Sequence, residues 1–334
     1  MEKRVAMKDI ASRVGVSIAL VSYVMNNKEG RVGTEIAEKI RMVAKEMNYR
    51  PNLIAKSLQS GHTHTLGLIV ADISNPFFSH IARRVEEEAK AFGYTVLVGS
   101  SDEDEGKSLL LLDSFLNRQV DGLIIAPAAM TEAQMRALQR KKVPFVLIDR
   151  YFPSLNVNSI RINNYQAAYD ATAQLIKAGR EKIAMLAYDA DMPHFLERIR
   201  GYRVALKEGS RPLKEILARV AYRHMASEVG DQLERWLYPK RSIDTIFFAT
   251  HSLAIEGLRR INGWGIRVPE DLAVISFDEN DAFDLYSPPI SFIRQPLGGI
   301  AREAVKLVLE NIRQPVGKHT QVVLDAELVL RKSC

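Results

Sequence analysis

Apolar residues recur at helical spacing three times between Met7 and Met47. Ile10, Ala11 and Val14 share one face of a short helix. Gly15 interrupts it, where a residue without Cβ turns at least cost. Ser17 then offers an N-cap, and Val21 and Val24 form a second stripe. After the loop Gly30-Arg31-Val32-Gly33, Thr34 can cap a third helix carrying Ile36, Ile40, Val43, Ala44 and Met47. Two short helices around a glycine turn, closed by a third, form a helix-turn-helix pattern. The same spacing also fits any small helical hairpin. Pro51 can start a further helix in Tyr49-Arg50-Pro51-Asn52-Leu53-Ile54-Ala55-Lys56-Ser57-Leu58, too short to be stable alone in water.

From Thr65 the pattern changes. Apolar runs LGLIVA, YTVLVGSS, GLIIAP and PFVLID alternate with amphipathic stretches over Phe77–Phe92, Gly106–Asn117 and Thr131–Arg140. A second set begins at Lys182 with KIAMLAY, ILARVAY, TIFFAT and LAVISFD. Its helices are expected over Leu196–Gly209, Ala226–Leu237 and Ser252–Asn262, and Leu297–Asn311 follows. Continuous apolar strands between helices imply parallel sheets covered on both faces. The fold class is therefore α/β: a three-helix head, a hinge helix, and two doubly wound lobes in succession.

Composition sharpens the division. Of the chain's 334 residues, 1–61 carry 11 Lys or Arg and 6 Asp or Glu, and the remainder 35 and 34. Nearly all of the net charge of +6 thus sits in the head, an electrostatic footprint for a polyanion on a near-neutral body. The sole cysteine, Cys334, excludes a disulfide framework and a thiolate metal site and suits a reducing cytoplasm. No apolar run marks a secretion signal or a membrane span. His62 and His64 in the linker Gly61–Thr65 have no Cys or carboxylate beside them in the sequence, so a zinc site is not expected there. No motif calls for a metal or cofactor.

Candidate chemistry falls in two places. On the second helix, Ile18, Ala19, Ser22 and Tyr23 point away from the apolar stripe, where a recognition helix would meet a major groove. The amides opening the third helix could meet a phosphate. In open parallel sheets, ligands bind at the carboxyl ends of strands. That rule selects Asp72 to Phe78, Ser100–Asp102, Pro127, Asp149-Arg150, Tyr188-Asp189, Thr250-His251 and Asp278-Glu279.

The stretch KDIASRVGVSIALVSYVMNN, with Thr34 and YRPNLIAKSL after it, resembles the lactose repressor (LacI/GalR) family of bacterial transcription regulators, and the likeness runs through the whole body. It implies a helix-turn-helix DNA-binding domain over 1–50, a hinge helix and linker over 51–64, and a core like periplasmic sugar-binding proteins over 65–334. Lobe 1 is expected at about 65–162 plus 292–322, and lobe 2 at about 163–291 plus 323–334. It implies a homodimer on palindromic double-stranded operator DNA. Ile18, Ala19 and Tyr23 fall on base-reading positions and Ala55 and Leu58 on minor-groove positions. Ser17, Ser22, Asn26, Thr34 and Asn52 complete the expected DNA-facing set. Tyr23 stands where relatives often carry Arg, and Tyr cannot read guanine bidentately.

In the body the strand-end rule gives Asp72, Phe77, Phe78 and Thr250 to an expected effector site, and the resemblance sharpens it by matching Arg150 (in Asp149-Arg150), Arg198 and Asp278 to family positions that hold the ligand. Its ligand would be a sugar, a sugar acid, a sugar phosphate or a nucleobase, since Arg150 and Arg198 tolerate an anion. Thr250-His251 stands where many relatives carry Asn-Asp. No leucine heptad follows Leu330, so a tail-built tetramer is not expected. The leading reading is a cytoplasmic repressor of carbohydrate-use genes. The alternatives are a solute-binding module, a regulator answering to a nucleobase or a protein co-repressor, and an enzyme. For the last, the chain lacks GxSxG, P-loop, GxGxxG and HExxH motifs.

Overall fold

A computed structural model describes residues 5–26, 32–49, 61–209, 212–314 and 319–334. The chain divides into two units, Met1–Thr63 and His64–Cys334. In the first, helices α1 (Met7–Val14), α2 (Ile18–Met25) and α3 (Thr34–Glu46) bury Ile10, Ala11, Val21, Val24, Ile40, Val43 and Ala44 against one another. Gly15 ends α1 at φ 82°, a left-handed turn that glycine makes without strain. The Ser17 hydroxyl oxygen accepts from the Leu20 amide at 3.2 Å and caps α2. Two expectations fail in α3. Thr34 is its first residue rather than its cap, and Gly33 takes the N-cap place with no side-chain bond to the first amides. Ile36, counted in the apolar stripe, is 43% exposed, because the stripe's buried centre lies at Ile40, Val43 and Ala44.

The second unit contains two six-stranded sheets. The first holds β1 (Thr65–Val70), β2 (Thr95–Ser100), β3 (Gly122–Ile125), β4 (Phe145–Ile148), β5 (Ser159–Ile162) and β11 (Gln321–Leu324), in the order β11-β5-β4-β3-β1-β2. Every described pairing in it is parallel. The second holds β6 (Ile183–Tyr188), β7 (Ile216–Val220), β8 (Thr245–Phe248), β9 (Ala273–Phe277), β10 (Ser291–Arg294) and β12 (Glu327–Val329), in the matching order β12-β10-β9-β8-β6-β7. Its only antiparallel pairing among the described residues joins β10 to β12.

Both faces of each sheet are covered, which explains the continuous apolar strands. In the first lobe, Leu66, Leu68 and Val70 pack with helices α4 (Pro76–Ala91) and α11 (Leu297–Arg313). On the opposite face, Ile69 packs with α5 (Glu105–Asn117) and α6 (Glu132–Arg140). In the second lobe, Ile183, Met185 and Ala187 pack with α7 (Asn164–Lys177) and α8 (Pro193–Glu208). Ala184, Leu186 and Tyr188 pack with α9 (Met225–Leu237) and α10 (His251–Gly263).

The expected lobe boundaries shift. β10 ladders with β9 in the second sheet, so the chain returns to the first lobe after Arg294 rather than at 292. β11 ladders with β5, so the last crossing follows Leu324 rather than 322. β5, β10 and α7 were not anticipated. β5 is four residues long with an Arg in it, and the buried side of α7 is mostly small, with Ala167, Ala168 and Ala171 beside Leu175. The strand read from ILARVAY stops at Val220, and Tyr222–His224 form a 3-10 turn. The Asn52, Ala55 and Leu58 assignments lie outside the described residues.

Candidate functional site

On the head, Ile18, Ala19 and Asn26 are exposed and Ser22 and Tyr23 half-buried, all on or just beyond α2. The Asn26 amide donates to the Ser22 carbonyl at 2.9 Å, which holds that side chain against the helix end. Ile18 is 53% exposed, a large apolar side chain held in solvent by a helix whose other face is core. The result is a short helix presenting a mixed apolar and polar surface, with the uncapped amide end of α3 in the same unit.

In the body, a cavity of about 230 Å³ lies between the carboxyl ends of the two sheets. Asp149 directly follows β4 and Asp278 directly follows β9, strands that occupy the same place in their sheets. Both residues are buried and adopt left-handed backbone, at φ 63° and 68°. Asp enters that region more readily than most residues, because its short side chain bonds locally. The turn aims each carboxylate into the cavity rather than along the strand.

Two buried arginines face these carboxylates. Arg150 donates from Nη1 and Nη2 to the two oxygens of Glu103, at 2.7 and 2.5 Å, and from Nη1 to the Pro127 carbonyl at 3.2 Å. Its Nε lies 3.6 Å from Asp149, beyond hydrogen-bond reach. Arg198 donates from Nε to Asn164 and from Nη1 to the Ala249 carbonyl, both at 2.8 Å, and sits 3.8 Å from Asp278. Its guanidinium also stacks 3.5 Å from the Phe277 ring centroid. Asp278 accepts from Gln295 at 2.6 Å.

The Arg-x-x-Gly-Tyr run of α8 explains how Arg198 is placed. A Cβ on Gly201 would stand 2.2 Å from the Tyr165 carbonyl oxygen, so only glycine lets α8 approach α7 this closely. One turn before Gly201, Arg198 therefore reaches Asn164 at the start of α7. Tyr202 anchors the other side, donating its buried hydroxyl to the Ile183 carbonyl at 2.8 Å.

The electrostatics follow from burial. Burial raises the Asp149 carboxyl to about 6, against the pull of Arg150 and Arg198. Burial pushes Asp278 the same way, but Arg198, the neighbouring His251 and the Gln295 hydrogen bond outweigh it and hold that carboxyl below its ordinary value. Burial, with Arg150 and Arg198 close by, drives His194 well below its usual range and keeps it neutral. Aromatic rings line the rest: Phe77 and Phe78 in edge contact, and Tyr188 between Phe195 and Tyr222. Across the mouth, the Tyr222 hydroxyl of the second lobe donates to Asp72 Oδ2 of the first at 2.9 Å.

Residues 6–52 match the family described as bacterial regulatory proteins, lacI family, and residues 172–334 match the periplasmic binding protein-like domain. The HTH-type transcriptional regulator DegA of Bacillus subtilis is 30% identical over 97% of this chain and 96% of its own length. The chain belongs to the lacI family of bacterial regulatory proteins. It is a helix-turn-helix, DNA-binding transcriptional regulator. The ribose operon repressor of Haemophilus influenzae is likewise 30% identical, over 98% of each chain. The solved complex of the transcriptional regulator CelR with cellobiose shares 25% identity with a TM-score of 0.72, covering 99% of this chain and 100% of that one.

In this lacI-family regulator, the seven body residues expected from the sequence all line the one cavity. Phe77 and Phe78 are at once core and lining. Thr250 lines it too while accepting from the Leu253 amide at 3.4 Å, as the cap of α10. Ser100 to Asp102 do not line it. Sequence reasoning missed Glu103, His194, Tyr222 and Gln295. Glu103 lies one residue past a segment the strand-end rule had selected, so that rule, extended by one position, would have found it. Gln295 follows β10, which was not anticipated. His194 and Tyr222 carry no local signal.

Proposed function

We propose that this regulator is a repressor of carbohydrate-use genes whose DNA affinity is set by a small ligand, a sugar or sugar derivative, in the inter-lobe cavity. Two chains bind a palindromic operator as a homodimer, since one small head offers few base contacts and a two-fold site lets two add. Ser17, Ile18, Ala19, Ser22, Tyr23, Asn26 and Thr34 meet the DNA from the head. Asn52, Ala55 and Leu58 are assigned to the hinge contact. Ligand binding changes lobe closure and so shifts the chain between DNA-competent and DNA-incompetent states, through its differential affinity for the two. A cytoplasmic location follows from that role.

One observation carries the ligand site. Among the described residues, four buried polar side-chain atoms lack a hydrogen-bond partner: Arg150 Nε, His194 Nδ1, His251 Nδ1 and Gln295 Oε1. Buried polar groups are rarely left so. Arg150, His194 and Gln295 line the cavity, and His251 sits 3.7 Å from Asp278, which also lines it. Unmade bonds converging on an aromatic-walled cleft fit a hydroxyl-rich ligand of ring size. Aromatic faces beside neutral His194 also fit a nucleobase. The names of the ribose operon repressor and of CelR with cellobiose favour the sugar.

A thermal-shift panel on the full chain tests this, with neutral sugars, uronates, sugar phosphates and nucleobases. A ligand at a hundred times its Kd adds about 2.7 kcal/mol of stability. The expected result is a hit among the sugars that is lost in Arg198→Ala and Asp278→Ala. A hit confined to nucleobases would replace the sugar. A hit indifferent to both substitutions would move the site elsewhere.

A further inference from the structure

Arg150 and Arg198 are the cations deepest in the cleft, and on the sequence alone either could receive an anionic ligand. The structure shows neither charge at liberty. Both terminal nitrogens of Arg150 are taken by Glu103 in a two-pronged pair, and Glu103 is itself half-buried, with its side chain 24% exposed. Arg198 is held by Asn164 and the Ala249 carbonyl and matched by Asp278. Asp149 adds a third carboxylate to the same buried group. An anion entering this floor would lose its water without gaining an unpaired cation there, which is costly; the other lining cation, Arg223, is exposed to solvent, where a charge contributes little. A neutral polyol meets the opposite situation. Asp149 and Asp278 accept from its hydroxyls, and Nη2 of Arg198, which makes no hydrogen bond among the described residues, can donate to one.

Resting on the cleft-binding reading above, we propose that Glu103 is a specificity-determining residue: by spanning the Arg150 guanidinium it withdraws that cation from ligands, so the cleft takes an uncharged polyhydroxy compound and rejects its phosphorylated or carboxylated counterparts. Glu103 stands in the loop after β2, separated by 47 positions from the arginine it neutralises. Charge selectivity is thus set from a different loop than the one that carries the cation.

Inorganic phosphate is the first probe, titrated into the full chain at constant ionic strength and followed by thermal unfolding. The unchanged chain should show no saturable stabilisation through the cleft. Glu103→Gln should bind phosphate at least about tenfold more tightly, the factor one released charge-assisted bond supplies. Glu103→Gln/Arg150→Gln should lose that gain. Any salt effect or phosphate bound at the head is common to all three chains and cancels in the comparison. Equal phosphate binding by the unchanged chain and folded Glu103→Gln, or a gain that survives loss of Arg150, would overturn the proposal.

A second arm needs no variant and serves if Glu103→Gln fails to fold. It compares glucose with glucose 6-phosphate and glucuronate, and ribose with ribose 5-phosphate. A neutral member binding at least about tenfold better than its charged partners supports the role of Glu103. A charged member binding as well or better overturns it. If no sugar of either kind binds, the sugar reading itself fails, and the phosphate arm, run with Glu103→Ala should Glu103→Gln not fold, still decides what Glu103 does.

Discussion

Asp149 shows most directly how the cleft trades stability for function. Its carboxyl titrates near 6 in the fold against an ordinary 3.8, because burial disfavours the charge. The folded chain therefore binds that proton more tightly than the unfolded chain. Its stability contribution is fully present below about pH 4, falls as pH rises toward 6, and is absent above. Asn tolerates left-handed backbone as Asp does, so Asp149→Asn should stabilise the body at pH 7.5 by up to about 3 kcal/mol. The gain should shrink on acidification and vanish below about pH 4. Ligand affinity should fall meanwhile, since an amide is a poorer acceptor than a carboxylate. Thermal unfolding across pH 4–8 checks the first part and ligand titration the second; a variant less stable at pH 7.5 would mean that Arg150 depends on this carboxylate more than burial penalises it. Such residues were legible unevenly. Arg198 and Asp278 stand in local runs, Arg-x-x-Gly-Tyr and a strand-ending Ser-Phe-Asp, that can be matched by eye. Glu103 and Tyr222 act through partners 47 and 150 positions away, and no local pattern encodes such pairings.

The elements were more legible than the residues, because burial on two faces leaves a strong mark on sequence. Most strands were recovered as apolar runs. Those missed or misjudged were short or interrupted: β5 contains Arg161, and β7 yields to a turn that delivers Tyr222 to the mouth of the cleft. The lobe of β10 was misassigned because sequence order does not reveal which sheet a crossing strand joins. The contact between α7 and α8 was invisible as well, since alanine and glycine give a weak apolar signal while permitting the closest approach. Gly201 is the test of that contact. A methyl there meets the backbone oxygen of Tyr165, which cannot move without displacing α7. Gly201→Ala should cost about 1–3 kcal/mol of stability, or more. It should also weaken ligand binding beyond that, because pushing the helices apart takes Arg198 from Asn164. Thermal unfolding beside ligand titration separates the two effects. A variant with unchanged ligand affinity would show that Arg198 is placed by Ala249 and Asp278 alone.

At the scale of the whole chain, charge and ligand chemistry are segregated. The head carries nearly all of the net charge and the body the buried polar cavity. Binding to DNA should therefore weaken steeply with salt in the full chain and be absent from residues 62–334, because counterion release follows the basic groups. Segregation alone does not make a switch. If the ligand alters DNA affinity through a shared two-state equilibrium, the DNA must alter ligand affinity by the same factor. The measurement begins by enriching random duplexes with the full chain, and the enriched site should be an inverted repeat. DNA affinity is then measured with and without saturating sugar, and sugar affinity with and without the duplex. The two factors should agree, within a range of about 5- to 150-fold. Either sign is consistent with the cleft as described, since closing the lobes can favour or oppose DNA binding. A sugar that saturates the cleft and leaves DNA affinity unchanged would sever the two halves of the mechanism. The body would then be a binding module joined to a DNA-binding head without being coupled to it.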